Sequence, residues 1–297
     1  MSTLVLGKNG QLGSAFMRRL AGNSELVALD RNGVGDLSET VQLSGYIRTT
    51  RPNVIINTAA YTAVDAAEDH PELAFQINAL APAAIAQAAK DIGALLVHFS
   101  SDYVYGGSGE KPWTENDPAE PINIYGQSKL AGDQAVQASG CRSLIFRTSW
   151  VFSANGQNFL NTMMRLAGER EELRVVDDQI GAPTSVELIV STAMRAIELE
   201  KNDRSLGGLY HLAAAGEASW FEYAKFAIAT AKENGLKIVA KNIIPVHSAE
   251  FVSKARRPMN SRLDTGKLSS SFGIIMPPWQ DGVREAIIDI RKASGEK

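Results

Sequence analysis

Thr3-Leu4-Val5-Leu6-Gly7-Lys8-Asn9-Gly10-Gln11-Leu12-Gly13 decides how the rest of the chain is read. Four residues of strand character run into glycines spaced G-x-x-G-x-x-G, and a helical pattern, Gln11–Ala21, begins inside that spacing. A chain turning from strand to helix beneath a pyrophosphate needs glycine for the tight turn, for close backbone approach and for helix–strand packing. The helix start then offers free N–H groups and a positive dipole end to the phosphates. Asp30 ends the next strand, about 20 residues on, where an acid would bind a ribose hydroxyl. With 25 glycines in the chain, the spacing alone carries little; its place between strand and helix gives it meaning. It predicts a site for NADH or NADPH. Asp30 repels a 2′-phosphate and Arg31 attracts one, so the preference between the two stays open.

Outward from that turn, short apolar runs alternate with helical patterns. Thr3–Leu6, Glu25–Asp30, Val54–Asn57, Leu95–Ser100 and Ser143–Arg147 read as strands, and Gln11–Ala21, Thr40–Thr50, Glu72–Ile92 and Tyr125–Ser139 as helices. Such alternation predicts an α/β protein with a Rossmann doubly wound parallel sheet covered on both faces. Past residue 150 the pattern loosens. Phe159–Ala167, Val186–Leu199, Ser219–Glu233 and Trp279–Arg291 read as helices, with Ser219 as an N-cap, and Leu173–Val176 and Gly208–Leu212 as strands. The expected organisation is a NAD(P)-binding domain over residues 1–148, with 171–212 interleaved back into it. Residues 149–170 and 213–297 form a smaller C-terminal α/β substrate-binding region.

Composition narrows the function. The formal net charge of −3 gives no support for nucleic acid or an anionic membrane surface as partner. Cys141 is the single cysteine, which excludes an intramolecular disulfide and a cysteine-based metal cluster. Met1–Leu6 reaches glycine after a short apolar run without a basic flank, so no secretory signal is expected. No apolar stretch is long enough to span a bilayer. A cytoplasmic protein is expected.

Tyr125-Gly126-Gln127-Ser128-Lys129 carries the chemistry. Positions four apart share one helix face. A lysine ammonium near a phenol stabilises the phenolate and lowers its pKa toward neutrality, as a proton donor working near pH 7 requires. The lysine can also hold the nicotinamide ribose. Ser100-Ser101-Asp102-Tyr103 ends the fourth strand, and ligands of open parallel sheets bind beyond the carboxyl ends of the strands. A Ser101 hydroxyl there can hydrogen-bond a reacting carbonyl beside Tyr125. The bland reading of the Tyr–Lys pair is an exposed helical pair of no consequence.

The Gly7–Gly13 turn with Ser101, Tyr125 and Lys129 resembles the extended short-chain dehydrogenase/reductases. Four stretches, Asn57–Asp65, His98–Tyr105, Phe146–Phe152 and Asp178–Thr184, are similar to the dTDP-4-dehydrorhamnose reductase family, and the likeness runs through Arg257–Leu263. The resemblance implies hydride transfer from NAD(P)H to C4 of a 4-keto dTDP-sugar, with Tyr125 protonating the oxyanion and Lys129 and Ser101 in support. It implies pyrophosphate contacts at Gly10, Gln11 and Leu12, ribose contact at Asp30, adenine-side contacts at Asp36 and Leu37, and flanking contacts at Ala60, Tyr61 and Thr62. Asp102 and Trp150 match positions that contact the sugar nucleotide, although Trp150 is also open to a core reading. Arg257 suits a diphosphate, as arginine forks do. Some relatives dimerise through Mg2+ bridged by glutamates; Ala15 stands at one such position and Glu187 at another, so no metal is predicted, and the chain is a monomer or homodimer.

Three alternatives share the scaffold. Sugar-nucleotide 4,6-dehydratases need a glutamate after the Ser/Thr-Asp pair, where this chain has Tyr103. Epimerases retain NAD through the cycle. A relative that regulates methionine adenosyltransferase is a binding subunit without turnover.

Overall fold

Strand β1 (Thr3–Leu6) is buried along its whole length, with Leu4 and Leu6 packed into one hydrophobic cluster and Val5 into another. Only a sheet covered on both sides buries alternate residues in two cores. In the computed structural model, which describes residues 1–294, β1 lies inside a six-stranded sheet. Its order is Gly208–His211, β5 (Ser143–Thr148), β4 (Leu95–Ser101), β3 (Val54–Asn57), β1, β2 (Leu26–Leu29), and every pairing is parallel.

Helices α1 (Gln11–Arg19) and Val186–Asn202 pack on one face. α2 (Thr40–Thr50) and Ala81–Ile92 cover the other, where Val136 of helix Ile124–Ser139 joins the same cluster. Because β1 pairs with β2 on one side and β3 on the other, the connections leave it in opposite directions. The crevice beyond the ends of β1 and β3 is the switch point at which open α/β sheets bind ligands.

Residues 171–212 divide between the two regions. Helix Val186–Asn202 and strand Gly208–His211 return to the main sheet. Strand Glu172–Val176 instead pairs in parallel with Asn242–Val246, under helices Phe159–Glu169 and Trp220–Glu233. Helix Trp279–Ser294 packs onto Trp220–Glu233 through Trp279, Val283 and Ile287. Ser219 caps the Trp220 helix in a reciprocal capping box with Glu222.

The helix expected over Glu72–Ile92 forms as one helical run, with one irregular turn inside it. A π-helical turn, Gln76–Leu80, separates Pro71–Phe75 from Ala81–Ile92. The wider turn delivers the buried Asn78 amide, which accepts from Tyr61 N at 2.9 Å and donates to Tyr61 O at 3.0 Å and Ser128 Oγ at 3.0 Å. Such turns recur at functional sites. This one ties the segment after β3 to the helix bearing Tyr125.

Candidate active site

Each glycine of the turn has its own steric reason. Gly7 has φ +84°, and a Cβ there would meet Ala59 N at 2.8 Å, so the segments after β1 and β3 touch only because it lacks a side chain. A Cβ on Gly13 would lie 2.0 Å from Gly7 O, which is why α1 can start so close under the turn. Gly10 faces the open side. Neither a capping side chain nor an acid occupies the first turn of α1, so its N–H groups and dipole remain for an anion. Gln11 uses its side chain elsewhere: its Oε1 accepts from Ser153 Oγ and Asn158 Nδ2, both at 2.8 Å.

From this turn a cleft of about 950 Å3 runs across the carboxyl ends of the strands to the second region. Asp30 borders its near end. Its carboxylate accepts from Asn32 N and Asn9 Nδ2, both at 2.9 Å, and Lys8 Nζ lies at 3.5 Å. The backbone bond from Asn32 leads in holding its pKa below the usual range. These features fit a nicotinamide dinucleotide: a cradle that any Cβ would fill, an uncapped helix start, and an ionised acid one strand away.

Lys129 is almost wholly buried, and burial lowers its pKa to about 8. Its Nζ donates to Phe99 O of β4 at 2.6 Å. That corrects one expectation: the ammonium is engaged by the strand, and the Tyr125 pKa stands above its ordinary value and not near neutrality. Burial pushes the phenol well above its ordinary value; Ser101 opposes that shift, while Asp102, Tyr103 and Asp133 add to it. Ser101 Oγ accepts from Tyr103 N at 3.2 Å and donates to Asp102 Oδ1 at 3.1 Å. Tyr125 therefore holds its proton throughout the neutral range, as an acid must.

The far end is acidic and aromatic. Asp102 is buried, which raises its pKa to about 6 against the opposing pull of the Ser261 and Ser101 side chains. Tyr103 packs edge-on against Tyr125 and accepts from Arg257 Nη1 at 3.4 Å; burial pushes it up to about 12, so it is no base. Arg257 is anchored by Asp65 at 2.8 Å. Trp150 stacks on Trp220 at 3.5 Å with 9° between the rings. Its backbone stands at φ +48°, a costly conformation for a bulky residue that persists only when its surroundings impose it. They do so here, since a Cβ on Gly181 would lie 2.7 Å from the indole and Thr184 N donates to Trp150 O at 3.2 Å.

The cleft is lined by Gly7, Gly10, Gln11, Leu12, Asp30, Leu37, Ala60, Thr62, Ser101, Asp102, Tyr125, Lys129, Trp150 and Arg257. Gly13 lies beneath the turn, Asp36 spends its carboxylate on Ser38, and Tyr61 is held by Asn78, so these three sit behind the lining. Sequence reasoning missed Thr58, Phe159 and Trp220 in the wall. Trp220 follows the cap Ser219 that was noted, yet its stacking on Trp150 spans 70 residues. Among the described residues no three acidic, histidine or cysteine side chains gather as a metal site, and Glu187 pairs with Arg18 at 2.9 Å. No described helix is long and apolar enough to cross a membrane.

A parallel sheet that opens a glycine-lined crevice at its switch point, with a Ser–Tyr–Lys group beyond β4, is the architecture of the extended short-chain dehydrogenase/reductases. Within that class the family model described as RmlD substrate binding domain matches residues 1–292, and the chain belongs to this family. It is 43% identical over 293 residues to the dTDP-4-dehydrorhamnose reductase of Escherichia coli K12, covering 98% of both chains. A dTDP-4-dehydrorhamnose reductase structure from Clostridium acetobutylicum matches with a TM-score of 0.91 at 34% identity, over 98% of this chain and 100% of that one. One from Bacillus anthracis in complex with NADP matches with a TM-score of 0.89 at 36% identity, over 97% and 100%.

Proposed function

We propose that this chain reduces dTDP-4-dehydro-β-L-rhamnose to dTDP-β-L-rhamnose with NADPH or NADH, the last step in making that sugar nucleotide for cell-surface polysaccharide. One observation carries the reading: Ser101, Tyr125 and Lys129 line a single cleft between the glycine turn and the Trp150–Trp220 wall. The relatives named above supply the sugar and the nucleotide.

Bound NAD(P)H supplies the hydride that adds to C4 of the keto sugar. Gly7, Gly10 and the start of α1 hold its pyrophosphate, Asp30 its adenosine ribose, and Leu37, Ala60 and Thr62 its flanks. Lys129, protonated at pH 7, binds the nicotinamide ribose. Ser101 Oγ orients the substrate carbonyl. Tyr125 gives its proton to the developing alkoxide, and water refills it through the open cleft. Asp102 and Trp150 contact the sugar, and Arg257 serves the diphosphate. Tyr103, protonated and tied to Arg257, leaves an elimination without its base, which favours reduction over dehydration.

The test measures NADPH and NADH oxidation against a panel of 4-keto sugar nucleotides, with product stereochemistry read by NMR. Protein that binds cofactor normally yet oxidises none with this substrate is a binding subunit, and the proposal then fails.

Two variants probe the ends of the cleft. Asp30→Ala removes a ribose acceptor and a charge that repels a 2′-phosphate, while Lys8 and Arg31 remain. NADPH affinity relative to NADH is expected to rise about fivefold, the worth of roughly one hydrogen bond. Parallel Kd titrations showing no such rise would assign the preference to another group. Trp150→Ala is expected to raise KM for the sugar nucleotide about tenfold, the scale of a lost aromatic contact. Cofactor KM should hardly move; equal rises in both would mean that the variant has disordered the whole cleft.

A further inference from the structure

Tyr125, Lys129 and Asp133 stand four apart on helix Ile124–Ser139, and so share one face. Asp133 is fully buried, far from the surface where acids normally stay. Its Oδ2 accepts from Arg147 Nε of β5 at 2.9 Å. The guanidinium also donates through Nη1 to Tyr105 Oη at 2.8 Å, and Tyr105 Oη meets His211 Nε2 at 2.6 Å. An arginine fork often takes both oxygens of a carboxylate it pairs with. The other oxygen, Oδ1, takes no arginine bond; burial raises the Asp133 pKa, and against that act Arg147, the buried Ser100 hydroxyl and the Lys129 ammonium. A buried carboxylate is costly unless opposite charge compensates it.

The other groups around the ammonium offer no compensation. Burial and Lys129 itself hold His98 of β4 neutral. His211 is lowered to about 4 and Tyr105 is raised to about 12, both chiefly by burial, so both are uncharged. Tyr125 and Tyr103 keep their protons, and the Asp102 carboxylate acts on the tyrosines beside it. Arg147 is a second cation. One carboxylate thus faces two buried cations.

We infer that Asp133 is a positioning residue, a reading that rests on the proposed reductase function: its carboxylate, one turn along the same helix face, is the counter-charge that keeps the Lys129 ammonium charged in the cleft, while Arg147 fixes its Oδ2. Asp133 touches neither cofactor nor substrate. Arg147, Tyr105 and His211 extend its support to β5, to the loop after β4 and to the edge strand.

The test titrates Lys129 directly, by NMR of cofactor-free protein labelled with [13Cε]lysine, using Lys129→Met to assign the resonance. Asp133→Asn keeps the shape and removes the charge. Lys129 is expected to titrate at least about one pH unit lower, the scale for losing a close opposite charge. The basic limb of kcat/KM should fall with it, and Asp133→Glu should restore both. A folded Asp133→Asn protein with an unchanged Lys129 titration overturns the inference. If that variant does not fold, Asp133→Asn/Arg147→Gln removes the guanidinium that the amide would leave unpaired, with Lys129 the remaining buried charge; a downward shift supports the inference and an unchanged titration overturns it. A shifted titration in a protein that never oxidises NAD(P)H with the sugar nucleotide supports the charge coupling and removes the reductase reading.

Discussion

Tyr125→Phe is expected to lower kcat by roughly 10²–10⁴-fold, the usual cost of losing a general acid. Cofactor affinity should stay nearly unchanged. The ring packs edge-on against Tyr103 with centroids 5.5 Å apart, a contact that phenylalanine keeps. What disappears is a proton held through the whole neutral range by burial. With the phenol held protonated by burial, a fall in wild-type rate above neutral pH is expected to follow Lys129, which burial lowers to about 8. Steady-state rates with saturating cofactor and an independent Kd by fluorescence check this. Near-native kcat in the variant would assign the proton to another donor, with Asp102 first in line because its carboxyl titrates near 6 in the same cleft.

What was legible in the sequence is what local spacing controls. The glycine turn, Asp30 and the Tyr125–Lys129 helix depend on neighbours within a few residues, and the structure brings them into one cleft. The strands of the main sheet were legible too, because runs buried on both faces must be apolar throughout. Contacts between distant segments were not. Asn78 reads as a polar residue in a long helix until the π-helical turn aims it at Tyr61 and Ser128. Glu172–Val176 alternates like any half-buried strand, and its partner 70 residues on carries no mark that pairs them. The lysine is the instructive error. Helical spacing correctly places its Cβ on the tyrosine's face, but an ammonium on a four-carbon stem goes where an acceptor waits, and Phe99 O waits on β4. Spacing fixes the backbone position; the depth of burial decides the electrostatics.

Lys129→Met should separate function from stability. Loss of the ammonium removes the group proposed to hold the nicotinamide ribose, so cofactor Kd should rise about tenfold or more, a charge-assisted bond being worth roughly 1.5–3 kcal/mol. kcat should fall as well. Stability should move differently. Burial lowers the lysine from its ordinary 10.5 to about 8, so below pH 8 the folded protein carries a buried charge that the unfolded chain keeps in water. That difference destabilises the wild type by on the order of 3 kcal/mol. As pH rises from 8 to 10.5 the folded state loses the proton while the unfolded state still holds it, and the penalty fades. Methionine has a similar shape and no proton to lose. It does leave Phe99 O without its donor, a cost of about 1–3 kcal/mol that does not vary with pH. The variant should therefore match or exceed the wild type in stability at pH 7, and the wild type should gain on it by up to about 3 kcal/mol between pH 8 and 10.5. Urea unfolding of both proteins across that range reads the difference directly, since every other titrating group is common to the two. A difference that stays flat with pH would mean that Lys129 titrates alike in the folded and unfolded chains, and a lysine so placed could not be held in the cleft by its surroundings.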